Sequence, residues 1–363
     1  MIKDIDMYHF RNLQQQKICF SPGLNILTGK NGQGKTNLLE ALFYLLTGKS
    51  YRAQKELELI RWGEDAFRLN GSFNVNGREI RLESVYTDKK KMIKVNGVAC
   101  RRLSDFIGLI NVVFFSPDDL SIIKDSPGKR RLFIDAHIIQ LRPSYVGVLN
   151  DYNRILTQKG HLLREDRAGF REKQEQLELW NEELVKYGSE VLKLRCEHTN
   201  RLKRIAAEIY QQISFDAEKM DMAYLPLGCK DIETALAEFP LILQKKKESE
   251  LERRTILVGP HRDELEVSLD QRNGRLFASQ GQQRSIVLAL KLAQLHIIKQ
   301  EKETYPLLLL DDVLSELDQF RRKYLIHFIE SLEIQTVMTN ALDEKEERKG
   351  TVYLVENGEI KPM

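Results

Sequence analysis

Between an apolar stretch at Leu24 to Leu27 and a run of leucines at helical spacing (Leu38, Leu39, Leu42, Leu45 and Leu46) lies the octapeptide Gly29-Lys30-Asn31-Gly32-Gln33-Gly34-Lys35-Thr36. It fits the pattern G-x-x-x-x-G-K-[ST], and a strand before it with a helix after it is the context that pattern requires. The unit points to an α/β sheet. Its glycines let the backbone bend until several N–H groups converge on phosphate oxygens, and the new helix adds its positive end. The expected phosphate contacts are Gly29, Lys30, Asn31, Gly32, Gln33, Gly34, Lys35, Thr36 and Asn37, with Lys35 neutralising the β and γ phosphates and Thr36 offering its hydroxyl to Mg²⁺. Together they predict a bound nucleoside triphosphate.

A chain of 363 residues can bury a large core and is expected to form two domains. Its net charge of +3 permits an anionic partner without demanding one. Cys19, Cys100, Cys196 and Cys229 are far apart and form no C-x-x-C pair, which argues against a disulfide framework and a structural zinc site. No apolar run approaches the ~20 residues that cross a bilayer, and Asp4 and Asp6 stand where a signal peptide would be basic and then apolar. The chain reads as a soluble, cytoplasmic protein with no membrane partner.

Residues 2 to 10 read as a first strand. Phe67, Leu69, Gly71, Phe73 and Val75 alternate with polar residues, and Asn76-Gly77 and Asn96-Gly97 mark turns, which predicts an antiparallel meander. Between Arg78 and Arg102 stand eight basic residues (Arg78, Arg81, Lys89, Lys90, Lys91, Lys94, Arg101 and Arg102) against three acidic ones, a candidate DNA-phosphate surface or else a solvated hairpin. From about Pro127 the pattern turns helical, with a seam at Leu177, Trp180, Leu184, Tyr187, Val191 and Leu194 continued by Leu202, Ile205, Ile209 and Ile213. The segment from Asp151 to Arg254 carries 19 basic and 20 acidic side chains, so nothing electrostatic marks it as the main DNA surface. Strand patterns return at Thr255 to Val258 and at Leu265, Val267 and Leu269, with a turn at Asn273-Gly274. A helix from about Gln280 to Lys302, a strand at Leu307 to Leu310, a helix at Gln319 to Leu332, a strand at Gln335 to Thr339 and a hairpin turning at Asn357-Gly358 complete the pattern. The expected division is 1–126 and 255–363 as the two parts of one nucleotide-binding head, with 127–254 as an inserted helical arm.

Leu307 to Leu310 ends in Asp311-Asp312, where an open α/β sheet places its ligands; Asp311 is the candidate Mg²⁺ support and Asp312 the candidate base that polarises an attacking water. Before these come Ser279-Gln280-Gly281-Gln282-Gln283, and after them Ser315-Glu316-Leu317-Asp318. In that order the segments resemble the ABC-type ATPases. The resemblance implies an ATPase head, a mixed sheet with an antiparallel β subdomain, in which Ser279, Gly281 and Gln282 reach a nucleotide held by a second copy and Asp318 lies in the loop facing that copy. Three departures stand out. Gln280 replaces the usual glycine, Ser116-Pro117-Asp118-Asp119 contains no glutamine, and Val337-Met338-Thr339-Asn340 contains no histidine. Asp312, one methylene shorter than the usual glutamate, further implies slow hydrolysis.

Further segments narrow the resemblance: Phe10-Arg11-Asn12, Phe115-Ser116-Pro117-Asp118-Asp119-Leu120, Ser126-Pro127-Gly128-Lys129-Arg130-Arg131, Gly259-Pro260-His261-Arg262-Asp263-Glu264-Leu265, and Phe277-Ala278-Ser279 onward. Together they resemble the bacterial RecF family over nearly the whole chain. That resemblance implies a recombination mediator and slow DNA-dependent ATPase that dimerises on duplex or gapped DNA with ATP. With RecO and RecR, it would promote RecA loading at single-strand gaps. The residues themselves assign no role to His261 or Arg262. Three rival readings are a transporter ATPase subunit, disfavoured by the absent glutamine and histidine; an SMC or Rad50-like clamp, disfavoured by the short arm; and a DNA-binding module that keeps ATP only as a ligand.

Overall fold

The computed structural model describes residues 1–165, 170–215, 217–339 and 350–363. Two compact units emerge, one made of Met1–Asp119 with Lys291–Met363 and the other of Leu120–Leu290. The division by contacts falls elsewhere than the sequence pattern suggests at 254/255. The physical reason is strand pairing: Glu264–Leu269 is laddered antiparallel to Met220–Leu225, which ties it to the helical segment.

In the first unit, one sheet has the order Glu359–Pro362, Thr351–Glu356, Leu24–Thr28, Thr336–Thr339, Leu307–Leu310, Val112–Phe115. Every neighbouring pair is parallel except the terminal hairpin. Thr336–Thr339, Leu307–Leu310 and Val112–Phe115 are buried at every position, as expected for parallel strands covered on both faces, so they read as continuous apolar runs without alternation. Register places Leu27 opposite Thr339 and Leu310 opposite both Met338 and Phe115, so the strand ends carrying Gly29, Thr339, Asp311 and Ser116 share one edge.

A second, antiparallel sheet of the same unit has the order Gln16–Cys19, Ile2–Tyr8, Phe67–Val75, Arg78–Thr87, Lys90–Val95, Val98–Ala99. The Asn76-Gly77 and Asn96-Gly97 turns have positive φ at both residues, the hairpin geometry these pairs favour. A further turn at Asp88-Lys89, with φ 49° and 57°, was not marked by its residue types. Between the two sheets the helix Lys35–Thr47 buries Leu38, Leu39, Leu42, Tyr44 and Leu45 against residues of both, forming one core with Ile5, Phe67, Leu309 and Val337. It starts after Gly34 (φ 119°) and stops where Gly48, at φ 69°, donates its N–H to Tyr44 O at 2.7 Å.

The second unit holds the long helices Pro127–Leu141, Tyr145–Arg164, Phe170–Ser214 and Ile232–Arg253. Its three strands run in the order Arg272–Asn273, Glu264–Leu269, Met220–Leu225. Along Phe170–Ser214 the expected seam is inward: Leu177, Leu184, Val191, Leu202, Ile209 and Ile213 are buried, while Trp180, Tyr187, Leu194 and Ile205 are half-buried. Two expectations are corrected. Thr255 to Val258 forms no strand; Ile256 and Val258 are buried as irregular chain, and Leu257 N–H donates to the Glu250 carboxylate at 2.8 Å instead of to a neighbouring strand. Asn273-Gly274 is not the hairpin turn. The reversal lies at Asp270-Gln271 (φ 46° and 64°), and the Asn273 side chain accepts from Arg275 and Leu276 N–H to cap a single helical turn.

Candidate functional site

Register at the shared sheet edge assembles a cavity of about 330 Å³ lined by Asn31, Gly32, Gly34, Lys35, Thr36, Asn37, Arg52, Asp311, Asp312 and Thr339. Segments far apart in the chain meet there, Asp311 lying 275 positions beyond Thr36. The Lys35 ammonium donates to the carbonyls of Gly29 and Lys30. Burial lowers its pKa, and the charges of Asp312 and Asp311 oppose that shift. Thr36 Oγ1 donates to Asp311 Oδ1 at 2.9 Å. Burial raises the Asp311 pKa, against the hydrogen bonds from Thr36 and Thr339 that favour its ionised form.

Asp312, by contrast, is exposed and left-handed (φ 52°), with its N–H donated to Thr339 Oγ1 at 2.7 Å; the same hydroxyl lies 3.2 Å from Asp311 Oδ1. Thr339 thus links the Asp311 carboxylate to the Asp312 backbone. The expectation for this segment concerned a missing histidine and overlooked the threonine; Asn340, its last residue, lies outside the described residues.

Arg52 was also overlooked. It lines the cavity and donates to Asn37 Oδ1 at 3.3 Å, while the fully buried Glu40 behind it accepts a bidentate pair of bonds from Arg11, both 2.9 Å, and one from Ser50 at 2.5 Å. Arg11 is part of the Phe10-Arg11-Asn12 segment. In the third of its residues, Asn12 Oδ1 accepts from Asn37 Nδ2 at 2.8 Å.

Oxygen donors Thr36 and Asp311, already within hydrogen-bond reach, suit a hard cation of the Mg²⁺ kind, which takes one or two protein oxygens and completes its shell with phosphates and water. The glycines suit a triphosphate. A Cβ on Gly29 would lie 2.2 Å from Val355 O, and one on Gly34 2.9 Å from Asn12 Oδ1, so larger residues would displace the loop.

Ser279 and Gln282 form a reciprocal cap on the helix Gln280–Lys302: Ser279 Oγ accepts from Gln282 N–H at 3.2 Å, and Gln282 Oε1 accepts from Ser279 N–H at 2.6 Å. Ser279 and Gln280 are exposed, as are Leu276 and Phe277 just before them. Asp318 caps Gln319–Ser331 by accepting from Arg321 N–H at 2.9 Å.

The basic residues of Arg78 to Arg102 differ in their surroundings. Lys91 shares the strand face of buried Ile93 and lies over the Tyr44 ring at 4.8 Å. Arg81 pairs with Glu79 at 2.9 Å and Lys94 with Glu83 at 3.1 Å. Arg78, Lys89, Lys90, Arg101 and Arg102 are exposed.

In the Ser116 to Asp119 segment, Asp119 Oδ2 accepts from Ser116 N–H at 2.8 Å, and Asp119 Oδ1 is 2.7 Å from the Lys291 ammonium, which also donates to Phe114 O at 2.7 Å. A carboxylate with a lysine partner stands where glutamine was expected in the family pattern.

A mixed sheet with a phosphate loop at its edge, an antiparallel sheet over the loop's helix and a helical unit in mid-chain define an ABC-type ATPase head of the SMC-like kind. Residues 1–361 match the RecF/RecN/SMC N terminal domain. The chain is 52% identical over 360 residues to the DNA replication and repair protein RecF of Desulfitobacterium hafniense, covering 99% of this chain and 98% of that one. To the protein of the same name from Halalkalibacterium halodurans it is 38% identical, covering 99% of each. A solved structure of the recombination mediator protein RecF-ATP in the RecFOR pathway superposes with a TM-score of 0.91 at 33% identity, covering 100% of this chain and 97% of that one. The Smc head bound to the C-winged helix domain of ScpA shares the fold, with a TM-score of 0.61 at 18% identity and coverage of 100% and 96%. The chain belongs to the RecF family.

Proposed function

We propose that this chain binds ATP with Mg²⁺, dimerises on DNA in that state, and acts with RecO and RecR to promote RecA loading at single-strand gaps. The observation that carries the reading is the meeting of Lys35, Thr36, Asp311 and Thr339 around one cavity at the sheet edge. In this reading the loop Gly29 to Thr36 with Asn37 cradles the triphosphate, and Thr36 and Asp311 hold the cation. A second copy contributes Ser279, Gly281 and Gln282, whose helix N-terminus offers a hydroxyl, close backbone approach and a positive dipole end; Asp318 faces that copy. ATP then links dimer affinity to nucleotide occupancy. DNA is held through its phosphates, with weak sequence preference and a steep dependence on salt. Exposed Arg78, Lys89, Lys90, Arg101 and Arg102 are the candidates for that contact, ahead of the ion-paired Arg81, Lys91 and Lys94.

Hydrolysis is slow and resets the dimer. Asp312 is exposed, short and held through its backbone N–H, so its carboxylate has reach to water but is not fixed by a hydrogen bond of its own among those described. Among the described residues no helix is long and apolar enough to cross a membrane.

Light scattering tests the reading directly: molar mass should double with ATP and Mg²⁺ in the presence of gapped duplex DNA. Asp312→Asn should stay dimeric where wild type reverts, and steady-state turnover should remain below about 10 s⁻¹. A monomer under all conditions, with ATP bound, would instead favour the module that keeps ATP only as a ligand.

A further inference from the structure

The tip of the phosphate loop is held from outside by a turn 324 positions away in sequence. That turn, Asn357-Gly358, joins Thr351–Glu356 to Glu359–Pro362, and parallel pairing of Leu354 with Thr28 fixes where it falls. Both of its N–H groups donate to Gln33: Asn357 to the side-chain Oε1 at 2.6 Å and Gly358 to the carbonyl at 3.0 Å. Gln16 braces the turn from behind, donating through Nε2 to Gly358 O at 2.6 Å and accepting the Ile360 N–H at 2.9 Å. No slack remains. Gly358 has φ +78° and a Cβ there would lie 2.3 Å from Asn12 O, while Val355 O of the same hairpin crowds Gly29 at the other end of the loop.

A glycine-rich loop left to itself samples many backbone states, and ordering it on binding costs affinity. Holding the loop at Gln33, with Val355 O leaving no room for a side chain at Gly29, removes part of that cost before any ligand arrives. We infer that the Asn357-Gly358 turn, braced by Gln16, is a positioning element that presets the phosphate loop for a nucleoside polyphosphate while touching no ligand itself. The inference rests on the ATP-binding reading above.

The test uses the full chain and measures equilibrium affinity for ATP with Mg²⁺ beside thermal stability. Gln16→Met removes both brace hydrogen bonds and should weaken ATP roughly five- to tenfold. Gly358→Ala should weaken it at least as much, since it adds a collision to an unfavourable φ. Asn357→Gly keeps the backbone donor and tolerates φ +51°, and should bind as wild type does. Tyr353→Phe deletes a hydrogen bond to Cys19 O at 2.6 Å, which takes no part in the turn or its brace; it should lower stability and leave affinity unchanged. If Gln16→Met and Gly358→Ala bind ATP within twofold of wild type, or if Tyr353→Phe loses affinity in step with stability, the inference is overturned. Failure of the wild-type chain to bind ATP overturns the ATP-binding reading itself, and the two outcomes are distinct.

Discussion

Each unit concentrates polar side chains in its interior, but the two concentrations are built differently. At the loop, Lys35, Thr36, Asp311 and Thr339 line a cavity, where Lys35 donates to backbone carbonyls of its own loop while the charges of Asp312 and Asp311 act on it without a direct bond among the described residues. In the helical unit the groups bond chiefly to one another, although His261 Nε2 is buried without a hydrogen-bond partner among the described residues. Arg195 grips Asp135 with two 2.8 Å bonds and donates to Pro260 O at 2.7 Å; Tyr224 donates to Asp263 at 2.5 Å; Tyr152 OH meets His261 Nδ1 at 2.7 Å. Arg262 donates to Ile256 O at 2.8 Å, and Arg130 takes Glu264 with bonds of 2.6 and 2.9 Å. The Gly259 to Leu265 and Ser126 to Arg131 segments, as distinctive in sequence as the phosphate loop, thus build a joint within their own unit. Conspicuous residues mark either chemistry or architecture, and whether their polar groups line a cavity or face one another separates the two.

The comparison breaks most sharply at two lysines. Lys159 and Glu250 form a wholly buried pair at 2.7 Å, and burial lowers the lysine pKa despite its partner. Lys159→Met strands the Glu250 charge and should cost about 3–5 kcal/mol of stability, read by denaturant melts, with ATP affinity kept in the folded fraction. Lys35→Met should do the reverse: stability near wild type, and ATP affinity down roughly a hundredfold or more. Equal stability losses in the two variants would erase the distinction drawn here.

Acid should strike the interior of the helical unit next. His198, 3.0 Å from His137 in the interior, has its pKa pushed by burial from 6.5 to about 4, and His261 is pushed likewise to about 4. Both folded values are depressed, so the stability they contribute is complete above about 6.5 and is lost as pH falls toward 4. Asp263 has the opposite sign: burial raises it from 3.8 to about 6, which favours the folded state as pH falls through that range. Two imidazoles against one carboxyl leave one net proton for the unfolded chain, or about 1.4 kcal/mol of stability lost per pH unit below 6. Melts from pH 7 to 4.5 check the slope, and His198→Gln should flatten it. A slope unchanged in that variant would remove the histidine from the account.

How much of this could be read from residues alone depended on whether the signal was contiguous. Gly29 to Thr36 is one stretch, and Leu307 to Asp312 another, so the loop and the carboxylates were legible. Thr339 reaches the cavity only because sheet order sets its strand between Leu24–Thr28 and Leu307–Leu310. Arg52 follows the loop's own helix outside any motif, and Asn12, though part of the Phe10-Arg11-Asn12 segment, acts through the bond it accepts from Asn37. The elements divided similarly. Asn76-Gly77 and Asn96-Gly97 reported their turns faithfully, whereas Asp270-Gln271 and Asp88-Lys89 adopt the same positive φ with residue types that announce it weakly. Thr255 to Val258 looked like a strand because β-branched and apolar residues run together there and bury well in any extended form. Gly259, at φ 139°, and Pro260 then end the run, and the Glu250 carboxylate takes the N–H that a ladder would need.

The smallest effect on stability probes the residue on which the dimer proposal leans. Ser279 caps its helix with Gln282, so Ser279→Ala should cost only about 1 kcal/mol. By itself that outcome cannot tell a cap from a phosphate contact, because alanine removes both. Aspartate separates them. It caps a helix about as well as serine, so Ser279→Asp should melt within about 0.5 kcal/mol of wild type, yet its carboxylate would face the triphosphate of the second copy and repel it. Light scattering on Ser279→Asp should therefore find a monomer with ATP bound. A dimer that forms as readily as wild type would leave Ser279 with its capping role alone.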